Sequence, residues 1–344
     1  MSKITFSVLL TEIEGHPVFQ STGKKPQAPV VEQLAVALDR FGHNGNGACL
    51  RRTLQLWGVA HGTLCLYTKR VVVGLQDQIK SYVRWPTAIE RKRISARFAR
   101  KGFPGCVGLV DGTLLPLAQR PRDYGETYFD RKCNYSLNAQ IICDDLRNIT
   151  YCSVGMPGST HDITALRKAP IWKHFRRESQ IFSRGQYILG DSTYNPPMPH
   201  LIGSFKVSRT VLTEEFNKCV AHARAVNEHC IGVLKARWFS LKQIRTQLKC
   251  KAESKHVVQW VECYVMLHDF CLRYNDTWTE EDSQLELDED LPASFPPAAR
   301  WNTDREIGDE LGRCPLYKWN RAPTRGHDSY GIAPQQGGAI LLGE

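Results

Sequence analysis

A chain of 344 residues with 42% hydrophobic content has enough apolar material for at least one substantial core and enough length for two or three domains. Its formal charge of +10 is uneven, because residues 1–275 hold 39 Lys/Arg against 21 Asp/Glu while residues 276–344 hold 6 against 14. No run reaches membrane-spanning length, "ITFSVLL" near the start is too short for a signal segment, and the 12 cysteines include no C-x-x-C pair; the expectation is a soluble intracellular protein with reduced thiols, neither membrane-bound nor disulfide-stapled.

After an N-terminal segment, residues 1–29, the period over 30–103 is helical. "VVEQLAVALDRFG" carries apolar residues at helical spacing and stops at Gly42 and the "GHNGNG" turn. A helix ending near Trp57, a short turn at Gly58-Val59-Ala60 and a new helix from about His61, bearing Lys69 and Arg70, follow. This is the arrangement of a helix-turn-helix, whose second helix lies in a DNA major groove, and equally that of an ordinary helical hairpin. "ERKRISARFARK" then places Arg91, Lys92 and Arg93 among six basic residues in twelve, either a phosphate grip or a solvated helix face. A basic body suits a polyanion, since neutralising phosphates releases counter-ions, and it also serves solubility.

Past residue 104 the period changes to that of strands, and residues 104–275 read as a second domain. "CVGLVDGTLLPL", "CNYSLNAQIICDD" and "NITYCSVGMPGS" are successive strand candidates, the last two joined by a polar turn; "HDITALRKAPIWKHF" reads as one helix and "QYILGDSTY" as a fourth strand. A long helix over 213–240 and a last one over about 253–273 close the domain. Cys263, His268 and Cys271 in that last helix offer zinc-ligand chemistry, but Val265, Leu267 and Phe270 around them describe a core helix. From Asp276 to residue 344 the chain lacks periodicity and reads as an acidic, largely disordered tail.

Asp111 is the anomaly in this pattern. An ionised carboxylate in an apolar strand is costly unless it is paired, hydrogen-bonded or holding a metal. Asp191 follows another apolar strand, and Glu228 lies beside the apolar stripe of the long helix. Three strands, a helix, a strand ending in an acid and a later helix with an acid are the element order of a ribonuclease H-like α/β domain, a mixed sheet flanked by helices. Three carboxylates converging there suit two Mg2+ or Mn2+ ions, hard cations that take oxygen ligands in phosphodiester chemistry. Taken singly, Asp111 could cap a turn, Asp191 could sit in an Asx-turn, and Glu228 could pair with Arg224 one helical turn earlier. Lys235 and Arg237, two helical turns beyond Glu228, are either DNA-phosphate contacts or surface charges, and Gly112 and Gly190 let backbone pass close to a neighbour.

The blocks "VDGTLLPL", "YFDRKCNYSLNAQIICD", "GMPGSTHDITAL", "LGDSTY" and "NEHCIGVLKARW" together resemble the DDE domain of PIF/Harbinger transposases and their domesticated nuclease relatives, over about residues 105–273. Thr193 and Ile231 depart from the family's usual glycine and aromatic residue without removing an acid. The resemblance implies a divalent-metal-dependent DNA nuclease or transposase with catalytic and metal-binding acids Asp111, Asp191 and Glu228, supported from a second layer by His161 and Asp162. It further implies double-stranded DNA at terminal inverted repeats as substrate, a Myb-like companion protein, a nuclear location and homo-oligomeric assembly. His61, Lys69, Arg70, Arg91, Lys92, Arg93, Lys235 and Arg237 are the expected DNA contacts. The rival expectation is a domesticated DNA-binding or scaffold protein that keeps the fold without turnover.

Overall fold

The computed structural model describes residues 1–276 apart from 22, 25, 45–49, 176–178, 195–197 and 208–209, so the tail expectation beyond Asp276 lies outside the described residues, as does the second half of the "GHNGNG" turn. The first helix, α1 (Lys3–Ile13), falls where the sequence shows only a segment. Ser2 caps it by accepting from Thr5 N at 3.1 Å, and Leu9 and Ile13 are buried. Four helices follow: α2 (Val30–Phe41), α3 (Leu50–Trp57), α4 (His61–Tyr82) and α5 (Ala88–Arg100). The Gly58-Val59-Ala60 turn separates α3 from α4 as the spacing predicts, with Gly58 in the left-handed region at φ 62°.

Five strands make one mixed sheet: β1 (Cys106–Pro116), β2 (Ser136–Cys143), β3 (Ile149–Pro157), β4 (Tyr187–Gly190) and β5 (Leu201–Gly203), in the order β3-β2-β1-β4-β5. β1–β2 and β2–β3 are antiparallel, whereas β1–β4 and β4–β5 are parallel. This order, with helices on both faces, is consistent with the expected ribonuclease H-like arrangement. β5 escapes sequence reading because three residues show no period.

Between β3 and β4 the expected single helix breaks into α6 (Asp162–Lys168) and a 3-10 turn, Pro170–Phe175. The cause is Pro170, which lacks an N–H and disfavours helical backbone at the residue before it; Ala169 is extended at ψ 143°. The long helix, α7 (Val211–Arg237), starts at a Thr210–Thr213 capping box, and α8 (Lys251–Arg273) follows. Leu166, Ile171, Phe175, Val110, Ile142 and Ile188 form the core on one face of the sheet. The core on the other face joins Leu109, Ile141, Ile231 and Leu234 to α8 and continues into Phe41, Val71 and Leu75, so the N-terminal helices and the sheet share apolar packing. Phe41 meets Trp260 and Tyr264 edge-on at ring distances of 4.8 and 5.0 Å.

Cys263, Cys271 and His268 of α8 are all buried in this core. Cys263 Sγ faces Val72 O at 3.6 Å, while His268 Nε2 lies 3.1 Å from Arg147 O and 3.5 Å from Cys230 Sγ. Their partners differ, which leaves packing as their role. No described helix is long and apolar enough to cross a membrane.

Candidate functional site

Parallel pairing of Leu109 with Leu189 brings β1 and β4 into a register that sets Asp111 and Asp191, two residues farther along each chain, level with each other. Asp111 is largely covered, its side chain 18% exposed. Its Oδ1 accepts from Gly112 N at 2.9 Å and its Oδ2 accepts from Arg224 Nη2 at 3.2 Å. Arg224 comes from α7, one turn before Glu228, and the same nitrogen lies 3.4 Å from Glu228 Oε1. Glu228 itself is 60% exposed, at the mouth of the site.

Burial pushes the Asp111 carboxyl up to about 6, the charges of Asp191 and Glu228 add to the rise, and Arg224 and Gly112 N oppose it. One acid is therefore in the electrostatic field of the other two. Asp191 Oδ1 accepts from Thr193 N at 2.8 Å and from the Thr193 hydroxyl, an Asx-type turn that opens the 3-10 turn Ser192–Tyr194. Asn227 holds α7 against the sheet: it is wholly buried and its Nδ2 donates to Leu109 O at 2.8 Å and Ile141 O at 3.3 Å. That anchor, next to Glu228 in sequence, fixes where the acid leaves the helix.

Asp162 joins from the other side of β1, because neighbouring strand residues face opposite ways. Its Oδ1 accepts from Asn138 Nδ2 at 2.9 Å and Gln140 Nε2 at 3.0 Å, and Gln140 Oε1 accepts from Tyr194 OH at 2.7 Å. A β-carbon on Gly112 would lie 1.9 Å from Asp162 Oδ1, so only glycine lets this carboxylate approach the strand. Burial raises the Tyr194 hydroxyl well above its usual range, with Asp162, Asp111 and Asp191 contributing. His161, by contrast, is exposed and its side chain makes no capping hydrogen bond to α6. Asn138, Gln140, Tyr194 and Asn227 were not among the sequence candidates. The signal for the first two was present: polar residues two apart in an otherwise apolar strand share one face.

The basic candidates divide. His61, Lys69, Lys92 and Arg93 are exposed, and Arg70 is half-buried with Nη1 3.5 Å from Gln33 Oε1. Arg91 corrects the expectation of a phosphate contact: it is buried, donating to Gln186 Oε1 at 2.8 Å and Pro86 O at 2.7 Å. Lys235 and Arg237 are corrected likewise. Lys235 Nζ donates to Thr113 Oγ1 at 2.6 Å and Leu114 O at 2.7 Å, and burial lowers its ammonium to about 8. Arg237 is buried and pairs with Asp276 Oδ1 at 2.6 Å. In all three the guanidinium or ammonium satisfies internal acceptors, an arrangement that buried charge requires.

The family profile of the DDE superfamily endonucleases matches residues 110–269, a span that includes Asp111, Asp162, Asp191 and Glu228. Residues 110–269 are thus similar to the DDE superfamily endonuclease domain. Among curated proteins it is 25% identical over 222 residues to "Protein ALP1-like" of Arabidopsis thaliana, covering 60% of this chain and 53% of that protein. It is 22% identical over 280 residues to the Homo sapiens protein named "Putative nuclease HARBI1", covering 80% of this chain and 76% of that one, and 22% identical over 281 residues to the Rattus norvegicus protein of the same name. The chain thus spans about half the length of the ALP1-like relative. No solved structure matches it. These matches bear out the resemblance carried by the five sequence blocks.

The site's donors are carboxylate oxygens, the ligand type that Mg2+ and Mn2+ prefer. Among the described residues no three acids, histidines or cysteines stand close enough to share an ion, and the Arg224 guanidinium lies between Asp111 and Glu228. The donor chemistry fits a hard cation, and a positive group already occupies part of the space between the donors.

Proposed function

We propose that the protein is a divalent-metal-dependent DNA endonuclease or transposase of PIF/Harbinger type. The observation that carries the proposal is that Asp111, held in an apolar strand, is linked to Glu228 through Arg224 and set level with Asp191 by the β1–β4 register, within a span that matches the DDE superfamily endonucleases. Asp111, Asp191 and Glu228 are the residues that would hold Mg2+ or Mn2+. When bound, the metal supplies Lewis-acid activation of water and charge neutralisation at the phosphodiester, through a two-metal arrangement. Asn227 sets the position of Glu228, the Thr193 hydrogen bonds orient Asp191, and the Asp162–Gln140–Tyr194 network stiffens the floor beside Gly112. No side-chain general base is required for such a reaction.

In this reading α3 and α4 act as a helix-turn-helix on double-stranded DNA at terminal inverted repeats, with His61 and Lys69 on the exposed part of α4 and Lys92 and Arg93 gripping phosphates. The exposure of those four side chains supports it. A Myb-like companion, homo-oligomeric assembly and a nuclear location complete the proposal. The test is cleavage of candidate terminal-repeat DNA in Mg2+ or Mn2+, beside Asp111→Ala. The variant should bind DNA as the parent does and lose at least about a thousandfold in cleavage rate. Binding without cleavage by the parent in either metal would replace the nuclease with a DNA-binding scaffold.

A further inference from the structure

Two of the three acids proposed above already share a cation of the chain's own. Arg224 Nη2 lies 3.2 Å from Asp111 Oδ2 and 3.4 Å from Glu228 Oε1, so a single guanidinium nitrogen links the strand acid to the helix acid. The remainder of the guanidinium is poorly served: Nε is buried and has no hydrogen-bond partner among the described residues. A buried donor without an acceptor weakens the hold of the pocket on that side chain. The helix that bears it, however, is pinned by Asn227 to Leu109 O and Ile141 O, so α7 stays in place and side-chain rotation is the available movement.

Building on the metal-site reading, we propose that Arg224 is an internal counter-ion which takes the cation's place between Asp111 and Glu228 in the metal-free protein and leaves it when a divalent cation is bound. Three acids in one field repel one another, and a covered carboxylate such as Asp111 needs a positive partner whether or not metal is present. A guanidinium supplies that charge without dissociating from the protein. It also repels an incoming divalent cation at short range, so the two occupancies exclude one another. Arg224 thereby sets the metal affinity of the site: it keeps the empty site folded and makes loading a competition. The opposite role, in which Arg224 holds Asp111 ready to bind metal, predicts the reverse effect of removing it.

Mn2+ binding to the full chain without DNA, read from the electron paramagnetic resonance of free Mn2+, separates the two. Arg224→Gln should bind Mn2+ at least about tenfold more tightly than the parent, because a positive charge has left the site. Arg224→Lys, which keeps the charge, should stay near the parent, and Asp111→Asn should bind more weakly than either. Equal or weaker Mn2+ binding by Arg224→Gln overturns the inference while leaving the metal reading intact. Failure of both parent and Arg224→Gln to bind Mn2+ overturns the metal reading and the inference with it. A second measurement uses the parent alone, in case the glutamine variant does not fold. The 1H–15N resonance of Arg224 Nε, assigned through its loss in Arg224→Lys, should move on saturation with diamagnetic Mg2+; an unmoved resonance in the Mg2+-saturated parent also overturns the inference.

Discussion

Gly112 shows how much of the site rests on a missing side chain. It follows Asp111 directly, donates its N–H to that carboxylate at 2.9 Å, and leaves room for Asp162 on the opposite side of the strand. A β-carbon there would meet Asp162 Oδ1 at 1.9 Å and Gln140 Nε2 at 2.7 Å, and both atoms are fixed by a hydrogen bond to each other. Gly112→Ala should therefore lower stability by about 1–3 kcal/mol, the usual cost of overpacking a core, visible as a fall in Tm. Gly15, where a β-carbon would meet nothing within 4 Å, is the control, and Gly15→Ala should stay within about 0.5 kcal/mol of the parent. Gly190 carries a similar constraint, since a β-carbon there would lie 2.6 Å from Tyr194 Cδ2, so both strands of the parallel β1–β4 pair place a glycine next to the acid.

At the scale of an element, α5 illustrates a helix start that is readable in sequence and electrostatically reinforced in space. Thr87 and Glu90 form a reciprocal capping box, and Arg84 adds two hydrogen bonds to the Glu90 carboxylate at 2.6 and 2.8 Å. Those bonds, first the two from Arg84 and then those from Thr87, hold the Glu90 carboxyl down to about 2. A lowered carboxyl contributes stability above its ordinary range that disappears as pH falls through the folded value. Glu90→Gln should thus be less stable than the parent at pH 7, by under about 1 kcal/mol because the pair is solvent-screened. Thermal melts from pH 6 down to pH 2 should show that gap closing; a gap independent of pH would mean that the charge contributes nothing. In α6 an equally local signal, Pro170, stops the helix where the apolar spacing alone predicts that it continues.

Across the whole molecule the basic surplus of residues 1–275 does not translate into a uniform DNA-binding face. Neighbouring cations on α5 have opposite fates: Arg91 is 7% exposed and bonded to Gln186 and Pro86, while Lys92 and Arg93 are exposed. Replacing Lys92 and Arg93 together with Ala should weaken DNA binding regardless of sequence and reduce the slope of log affinity against log salt by about 2, if each contacts one phosphate. Arg91→Ala should instead act on folding, costing about 1–3 kcal/mol through the acceptors it leaves unpaired. Fluorescence anisotropy at several salt concentrations, together with melts, reads both arms; an altered salt slope in a fully folded Arg91→Ala would return that residue to the DNA interface. The N-terminal helices also lend stability to the sheet-bearing part of the chain, since Phe41, Val71 and Leu75 belong to the same core as α8.

The order of strands and helices from residue 104 onward, and three acids within or beside apolar elements, were legible from the chain alone. Apolar periodicity is local, and a charge inside it stands out without knowledge of its neighbours. The short strand Leu201–Gly203 and the helix Lys3–Ile13 were not read, the first because three residues carry no period and the second because its apolar run was weighed only as a signal segment. What the tertiary structure alone decided was partnership: Arg224 with Asp111 across 113 residues, Asp162 against Gly112, and Arg91, Lys235 and Arg237 turned inward. Sequence spacing locates a charged side chain along its own helix or strand. Which acceptor it meets depends on how distant elements are registered against each other, and that is set by the packing of the two cores on either side of the sheet.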